Sequence, residues 1–297
     1  MSRTIRWVKT MATALVLTGT LGWGNVQAKE LTWTGCGITK QAFMGEIATA
    51  YELKTGTKIA LTGGGATKGI RAVSAGTADL GGTCRHQLMD AAGKVIPEEE
   101  NARLVQVAWD ALVVTVHPSN PVESIRLADL KRVFDGEVTN WKELGGPDLR
   151  IALVGQEGKD SGVGHMLRLL VFNNPNEEFK ARSLKVKVSD QMEEKVEQIP
   201  GALSIDGVSS ARKRKVKFLS LDGVSPSKDN IASGQYPLYR PLYLTIAQAG
   251  NPDAQGVVDF LLSPEGQKIV SEQGTVNLAE GAGLVAPWEA RKAAFGK

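Results

Sequence analysis

Hydrophobic positions along this chain switch between two periods. Leu31-Thr32-Trp33-Thr34 alternates apolar and polar residues as a half-buried strand does. Gln41 to Thr55 then carries Phe43, Ile47, Tyr51 and Leu53 at roughly helical spacing, with Thr39 placed to cap the helix start. Lys58-Ile59-Ala60-Leu61 predicts a second strand, which runs into Gly63-Gly64-Gly65-Ala66-Thr67 and a helix from Lys68 to about Ala75. Leu80 opens a third short strand that ends at Thr83-Cys84. Strands alternating with helices predict an α/β fold with parallel strands and crossover helices.

Farther along, the apolar run Val107 to Val116 predicts a buried strand passing between lobes. A second αβ region follows from about 122 to 235. Ser233 to Tyr243 begins as a turn and continues into a strand. Asp253 to Gln273 closes the chain with a helical pattern on Val257, Val258, Phe260, Leu261, Ile269 and Val270. No internal repeat, low-complexity segment or heptad pattern is present.

Ligands of such sheets bind beyond the carboxyl ends of strands. Three loops fall there: Gly35-Cys36-Gly37-Ile38-Thr39, Gly63 to Thr67, and Thr83-Cys84-Arg85. Two lead directly into helix starts, whose free N–H groups attract anions and other electron-rich oxygens. The chain's two cysteines, Cys36 and Cys84, both lie in these loops.

The N-terminus reads as a secretory signal, residues 1–28. Arg3, Arg6 and Lys9 precede an apolar stretch, Met11 to Trp23, that falls short of the roughly 18–20 residues a membrane span needs. Val26-Gln27-Ala28 supplies a small-x-small cleavage site, so the expected mature chain starts at Lys29 in the periplasm. Those three basic residues account for the whole excess of Lys plus Arg (35) over Asp plus Glu (32). The remainder is charge-balanced, without the basic stripe that nucleic-acid binding uses. A disulfide is the ordinary use of a cysteine pair in an exported protein.

Several segments together resemble the phosphate-type periplasmic solute-binding proteins of ABC transporters. The Gly35–Thr39 loop is similar to that family's first ligand loop, and Gly63-Gly64-Gly65-Ala66-Thr67-Lys68-Gly69-Ile70 to its second. Ala78-Asp79-Leu80-Gly81 with Thr83-Cys84-Arg85 resembles a third segment. Further matches are Phe134-Asp135-Gly136-Glu137-Val138-Thr139-Asn140-Trp141 with Gly145-Gly146, Tyr236-Pro237-Leu238-Tyr239-Arg240-Pro241, and Leu262-Ser263-Pro264-Glu265-Gly266-Gln267. The resemblance implies a two-lobed (type II) periplasmic binding protein with a mixed sheet in each lobe and a ligand cleft at the hinge. Lobe I would comprise 29–112 plus 240–297, and lobe II 113–239. It also implies a binding protein rather than an enzyme, without a cofactor and monomeric. The ligand set would be Cys36, Gly37, Ile38, Thr39, Gly64, Gly65, Ala66, Thr67, Cys84, Arg85, Ser161, Gly162 and Val163.

Departures from the phosphate pattern bear on the ligand. Ser161-Gly162-Val163 stands where the family has Ser-Gly-Thr, and Gln156 or Glu157 where it has an Arg, the natural bidentate partner of a tetrahedral dianion. Lys159 or Arg85 would have to compensate. Gly63 and Gly64 replace common serines, and Cys84 replaces a small ligand residue. Fewer hydroxyls and more thiols suit a neutral, sulfur-seeking ligand such as arsenite. The combination resembles the periplasmic arsenic-sensing binding proteins that signal to a membrane histidine kinase. On that resemblance Cys84, Cys36 or both would bind arsenic, and Thr39, Thr67, Ser161 and loop amides would hold its hydroxyls. The alternative is a phosphate or arsenate carrier for an ABC permease.

Other features have ordinary explanations. His86 reads as a surface residue at a helix start, His117 as a turn residue, and His165 as a residue near the Ser161 loop. Three scattered histidines give no zinc spacing. The basic run Arg212-Lys213-Arg214-Lys215 reads as a solvated loop before a strand. Trp33, Trp109 and Trp141 read as core or hinge packing. A thiol enzyme would need a base beside a thiol or a Cys-x-x-Cys pair; His86 is the one adjacent base, and no such pair occurs.

Overall fold

The computed structural model describes residues 29–295; the secretory signal expected at residues 1–28 lies outside the described residues. Ten strands form in chain order: β1 (Glu30–Gly35), β2 (Lys58–Gly63), β3 (Leu80–Thr83), β4 (Ala102–Val116), β5 (Ser124–Ile125), β6 (Ala152–Gln156), β7 (Leu184–Val186), β8 (Ala202–Gly207), β9 (Lys217–Leu221) and β10 (Tyr239–Ala247). They hydrogen-bond in the order β2-β1-β3-β10-β4-β8-β6-β7, with β9 beside β4 and β5. β1, β2 and β3 are parallel to one another, as are β6, β7 and β8. β10 is antiparallel to β3 and β4, and β8 is antiparallel to β4.

The long strand β4 joins the two halves. From Ala102 to Ala111 it pairs with β10, and from Leu112 to Val116 with β8. The expected strand Val107–Val116 is therefore the C-terminal part of a longer one. Its second half is buried without interruption, which is why the sequence there reads as a continuous apolar run rather than an alternation. Pro241, in a central strand, sits next to a register shift at Leu242/Tyr243, where a sheet tolerates a residue without an N–H.

The first helix differs from expectation at its start. It begins at Gly37, passes through a wider π turn at Lys40–Met44, and continues over Gly45–Thr55. Its N-cap is Cys36, not Thr39: the thiol accepts the Thr39 N–H at 3.3 Å, which places Thr39 inside the first turn. Ile38 is fully buried, worth about 1.5–3 kcal/mol, and anchors this turn in the core. The closing helical pattern is two helices, Pro252–Leu262 and Pro264–Glu272. Ser263 caps the second, and Pro264 supplies a first-turn residue that needs no N–H partner.

Trp33, Trp109 and Trp141 are core residues, as expected. Trp33 fixes the backbone behind the cysteine loops, since a Cβ on Gly82 would overlap its ring. Among the described residues no helix is long and apolar enough to cross a membrane.

Candidate functional site

A cavity of about 140 Å³ opens at the carboxyl ends of β1, β2 and β3 on one side and of β6 and β7 on the other. That volume has room for about five waters, or for one small oxyanion with one or two waters. Cys36, Gly37, Gly64, Gly65, Ala66, Thr67 and Cys84 line it from the first half of the sheet. Gln156, Glu157, Asp160, Ser161, Gly162, Val163, Lys187 and Ser189 line it from the second.

Four helices begin at this cavity, at Gly37, Ala66, Gly162 and Ser189. Their free N–H groups give the site positive potential. The sharp entry to the second helix depends on Gly65, whose φ of 91° strains any L side chain. Ser161 caps the third by accepting the Gly164 N–H at 3.1 Å. Gly162 is a point of close approach between the two sides of the cavity, because a Cβ there would overlap Cys84 Sγ and stand 2.9 Å from the Ala66 Cβ.

Both cysteines are free and almost fully buried, so the disulfide that an exported pair would ordinarily form is not made. The two thiols are neighbours, close enough to influence each other's ionisation. Burial, and then the contact with Cys84, push the Cys36 thiol well above its ordinary value. That same contact lowers Cys84 to about 7, helped by the charge of Arg240. Arg240 is fully buried, pairs with Asp110 at 3.1 Å and donates to the Cys84 carbonyl at 3.3 Å. Of the two, Cys84 is the thiol whose surroundings favour ionisation.

Three of the expected ligand residues do not line the cavity. Ile38 is core. Thr39 is fully buried, with its hydroxyl 2.8 Å from Cys36 Sγ. Arg85 is spent elsewhere: its guanidinium pairs with the buried Glu99 at 2.6 Å and donates to the Asp160 carbonyl at 2.9 Å. Lys159, the other candidate compensating charge, pairs with Glu178. Among the described residues Lys187 is the cation at the cavity wall.

Sequence reasoning missed Asp160, Lys187 and Ser189. Asp160 is held from the first half of the sheet by the Thr67 hydroxyl at 2.6 Å, by Arg85 and by an Arg71 ion pair at 3.2 Å. These contacts cross the cavity mouth, so the cleft is closed. Ser189 receives the Gln156 side-chain N–H at 3.0 Å. No local motif marks these residues; they follow β6 and β7, whose parallel pairing brings them to the cavity.

His86 is not at a helix start. It lies in the irregular segment after β3, half-buried, with its ring against His165. His117 accepts the Ser119 N–H in a turn, and the basic run carries ion pairs from Lys213 to Glu46 and from Arg214 to Glu197.

A phosphate-binding protein PstS of Bacillus subtilis is 28% identical over 258 residues, covering 84% of this chain and 81% of that protein. A PstS of Borreliella burgdorferi is 28% identical over 188 residues, covering 61% of this chain and 67% of that one. Among solved structures, a putative phosphate ABC transporter substrate-binding protein with bound phosphate from Clostridium perfringens superposes with a TM-score of 0.73 at 22% identity. It covers 84% of this chain and 99% of that one, and shows the same two-lobed fold. An ABC-type phosphate transport receptor from Vibrio cholerae gives 0.62 at 25% identity, over 84% of this chain and 100% of that one. The family model for a PBP superfamily domain matches residues 34–265, and the chain belongs to that superfamily.

Proposed function

We propose that the chain is an extracytoplasmic solute-binding protein whose cleft takes one small oxyanion, phosphate or arsenate, for delivery to an ABC permease. The relatives named for phosphate binding support this ligand better than the arsenite expected first from the sequence. The observation that carries it is the closed cavity at four helix starts, of a size for one such ion. With Arg85 spent on Glu99, counter-charge would come from the N–H groups and Lys187. The lobes would be 29–112 with 240–297, and 113–239, a division supported by the change of partner along β4 between Ala111 and Leu112.

A second reading is favoured by one specific observation. Two neighbouring thiols, Cys36 and Cys84, stand at the cavity wall, which the side chains of Glu157 and Asp160 also line. A neutral arsenite would condense with both thiols, forming two As–S bonds and releasing two waters, and would not be repelled by the carboxylates. The protein would then sense arsenite for a membrane histidine kinase.

Calorimetric titration with phosphate, arsenate and arsenite tests both. Phosphate or arsenate heat that survives Cys84→Ser supports the carrier. Arsenite heat alone, lost in Cys84→Ser, supports the sensor.

A further inference from the structure

The oxyanion cavity carries two groups that holding an anion does not need, the free thiols of Cys36 and Cys84. The loops that bear them run side by side. β1 and β3 pair in parallel up to Gly35 and Gly82, and Cys36 donates its backbone N–H to the Gly82 carbonyl at 3.0 Å. The cysteines follow those paired glycines by one and two residues. Paired strands lie about 4.8 Å apart, and a disulfide joins Cα atoms about 4.4–6.8 Å apart, so bonding the two sulfurs asks for little backbone movement.

The two thiols differ in kind. The contact with Cys36 and the charge of Arg240 bring Cys84 down to about 7 against its burial, which makes it the better nucleophile. Cys36 keeps its proton, raised by burial and then by Cys84. Its sulfur is steadied at the helix start, accepting the Thr39 N–H at 3.3 Å and lying 2.8 Å from the Thr39 hydroxyl. Phosphate and arsenate share shape and charge, but thiols reduce only the arsenic, the softer and more oxidising centre.

We propose that the Cys36–Cys84 pair reduces bound arsenate to arsenite, once per reduced chain, a step that rests on the oxyanion reading of this cavity. The Cys84 sulfur attacks arsenic. An As–S bond forms, and one arsenate hydroxyl leaves as water with the thiol's proton. The Cys36 sulfur then attacks the Cys84 sulfur, as in thiol–disulfide exchange. The S–S bond forms, the As–S electron pair stays on arsenic, and the Cys36 proton passes to an arsenic-bound oxygen. Arsenic gains two electrons and each sulfur loses one. The products are a disulfide, one water and arsenite, which takes up a proton and leaves as neutral arsenous acid.

The helix starts at Gly37, Ala66, Gly162 and Ser189 hold the anion's charge during the first step. The closed cleft keeps bulk water from the As–S intermediate, which water would return to arsenate and thiol. The product loses its hold, because it carries no charge and the disulfide leaves it no thiol. Phosphate stays unchanged and acts as an inert competitor.

Mixing reduced protein, freed of reductant without air, with sodium arsenate tests the step. Arsenite is read by ion chromatography, and free thiols by alkylation and intact mass. The expected result is one arsenite formed and two thiols lost per chain, suppressed by excess phosphate and absent with phosphate alone. Cys84→Ser and Cys36→Ser should each form none. If either variant misfolds, the wild-type stoichiometry and a peptide map of the Cys36–Cys84 bond decide. Thiols lost without arsenite, or arsenite formed by both serine variants, overturns the proposal. So does phosphate that binds by calorimetry while arsenate leaves both thiols intact, a result under which the carrier reading stands. Failure of both oxyanions to bind overturns the two together.

Discussion

Cys84 presses its sulfur against the backbone of Gly162, leaving no room for a Cβ between the two halves of the closed cleft. Gly162→Ala should therefore oppose closure rather than folding. Overpacking of this kind costs about 1–3 kcal/mol, which applied to the closed state means about 5- to 150-fold weaker ligand binding. Titration should show that loss while the melting temperature changes little. Equal affinity in the variant would mean that the ligand binds without this contact.

Arg85 and Glu99 form an ion pair with neither side chain exposed to solvent. Removing one partner leaves the other charge buried and uncompensated, a cost of about 3–5 kcal/mol. Arg85→Ala should lose that much stability in urea unfolding. A variant as stable as the wild type would show that Glu99 is not held by this pair.

Lys187 offers the phosphate reading a direct check. Its side chain is exposed, so its attraction to an anion is modest and screened by salt. Lys187→Ala should weaken phosphate about fivefold at low salt, and the effect should shrink as salt rises. Arsenite, being neutral, should bind the variant as it binds the wild type.

Asp206 and Glu193 are buried carboxyls on β8 and on the helix Ser189–Gln198, and Asp206 Oδ2 finds no hydrogen-bond partner. Burial, and then the charge of Glu193, raise Asp206 well above its ordinary 3.8; burial also raises Glu193 above 4.5. A raised acid is protonated in the fold when it is already ionised in the unfolded chain. Its contribution to stability is full below about pH 3.8 and is lost as pH rises toward the folded value. Asp206→Asn should remove that loss, so the melting temperature of the variant relative to wild type should increase from pH 4 to pH 7. A constant difference across that range would contradict the shift.

Much of the first half of the sheet was legible in the sequence because β1 and β2 each end in a glycine or cysteine loop that opens a helix. Leu31 to Thr34 and Lys58 to Leu61 declare their strands by local pattern alone. The helix start at Cys36 was not legible, because a thiol is an unusual cap and Thr39 carries the usual signal. At the site, Cys36, Cys84, Ser161 and Gly162 lie in recognisable loops and do line the cavity. Arg85 misled: its charge suggests an anion ligand, and only the fold reveals that Glu99, fourteen residues on, neutralises it. Asp160 and Lys187 depend on how β6 and β7 pair, and the approach of His86 to His165 depends on how the two halves close. No local pattern carries either.

The central claim is that the cavity between Cys84 and Gly162 binds one phosphate-type oxyanion. Calorimetric titration of the reduced protein with phosphate, run beside arsenite, tests it most directly. The predicted result is one equivalent of phosphate bound, with affinity lowered by Gly162→Ala and kept in Cys84→Ser. Heat from arsenite alone, abolished in Cys84→Ser, would contradict it and make the paired thiols the ligand site.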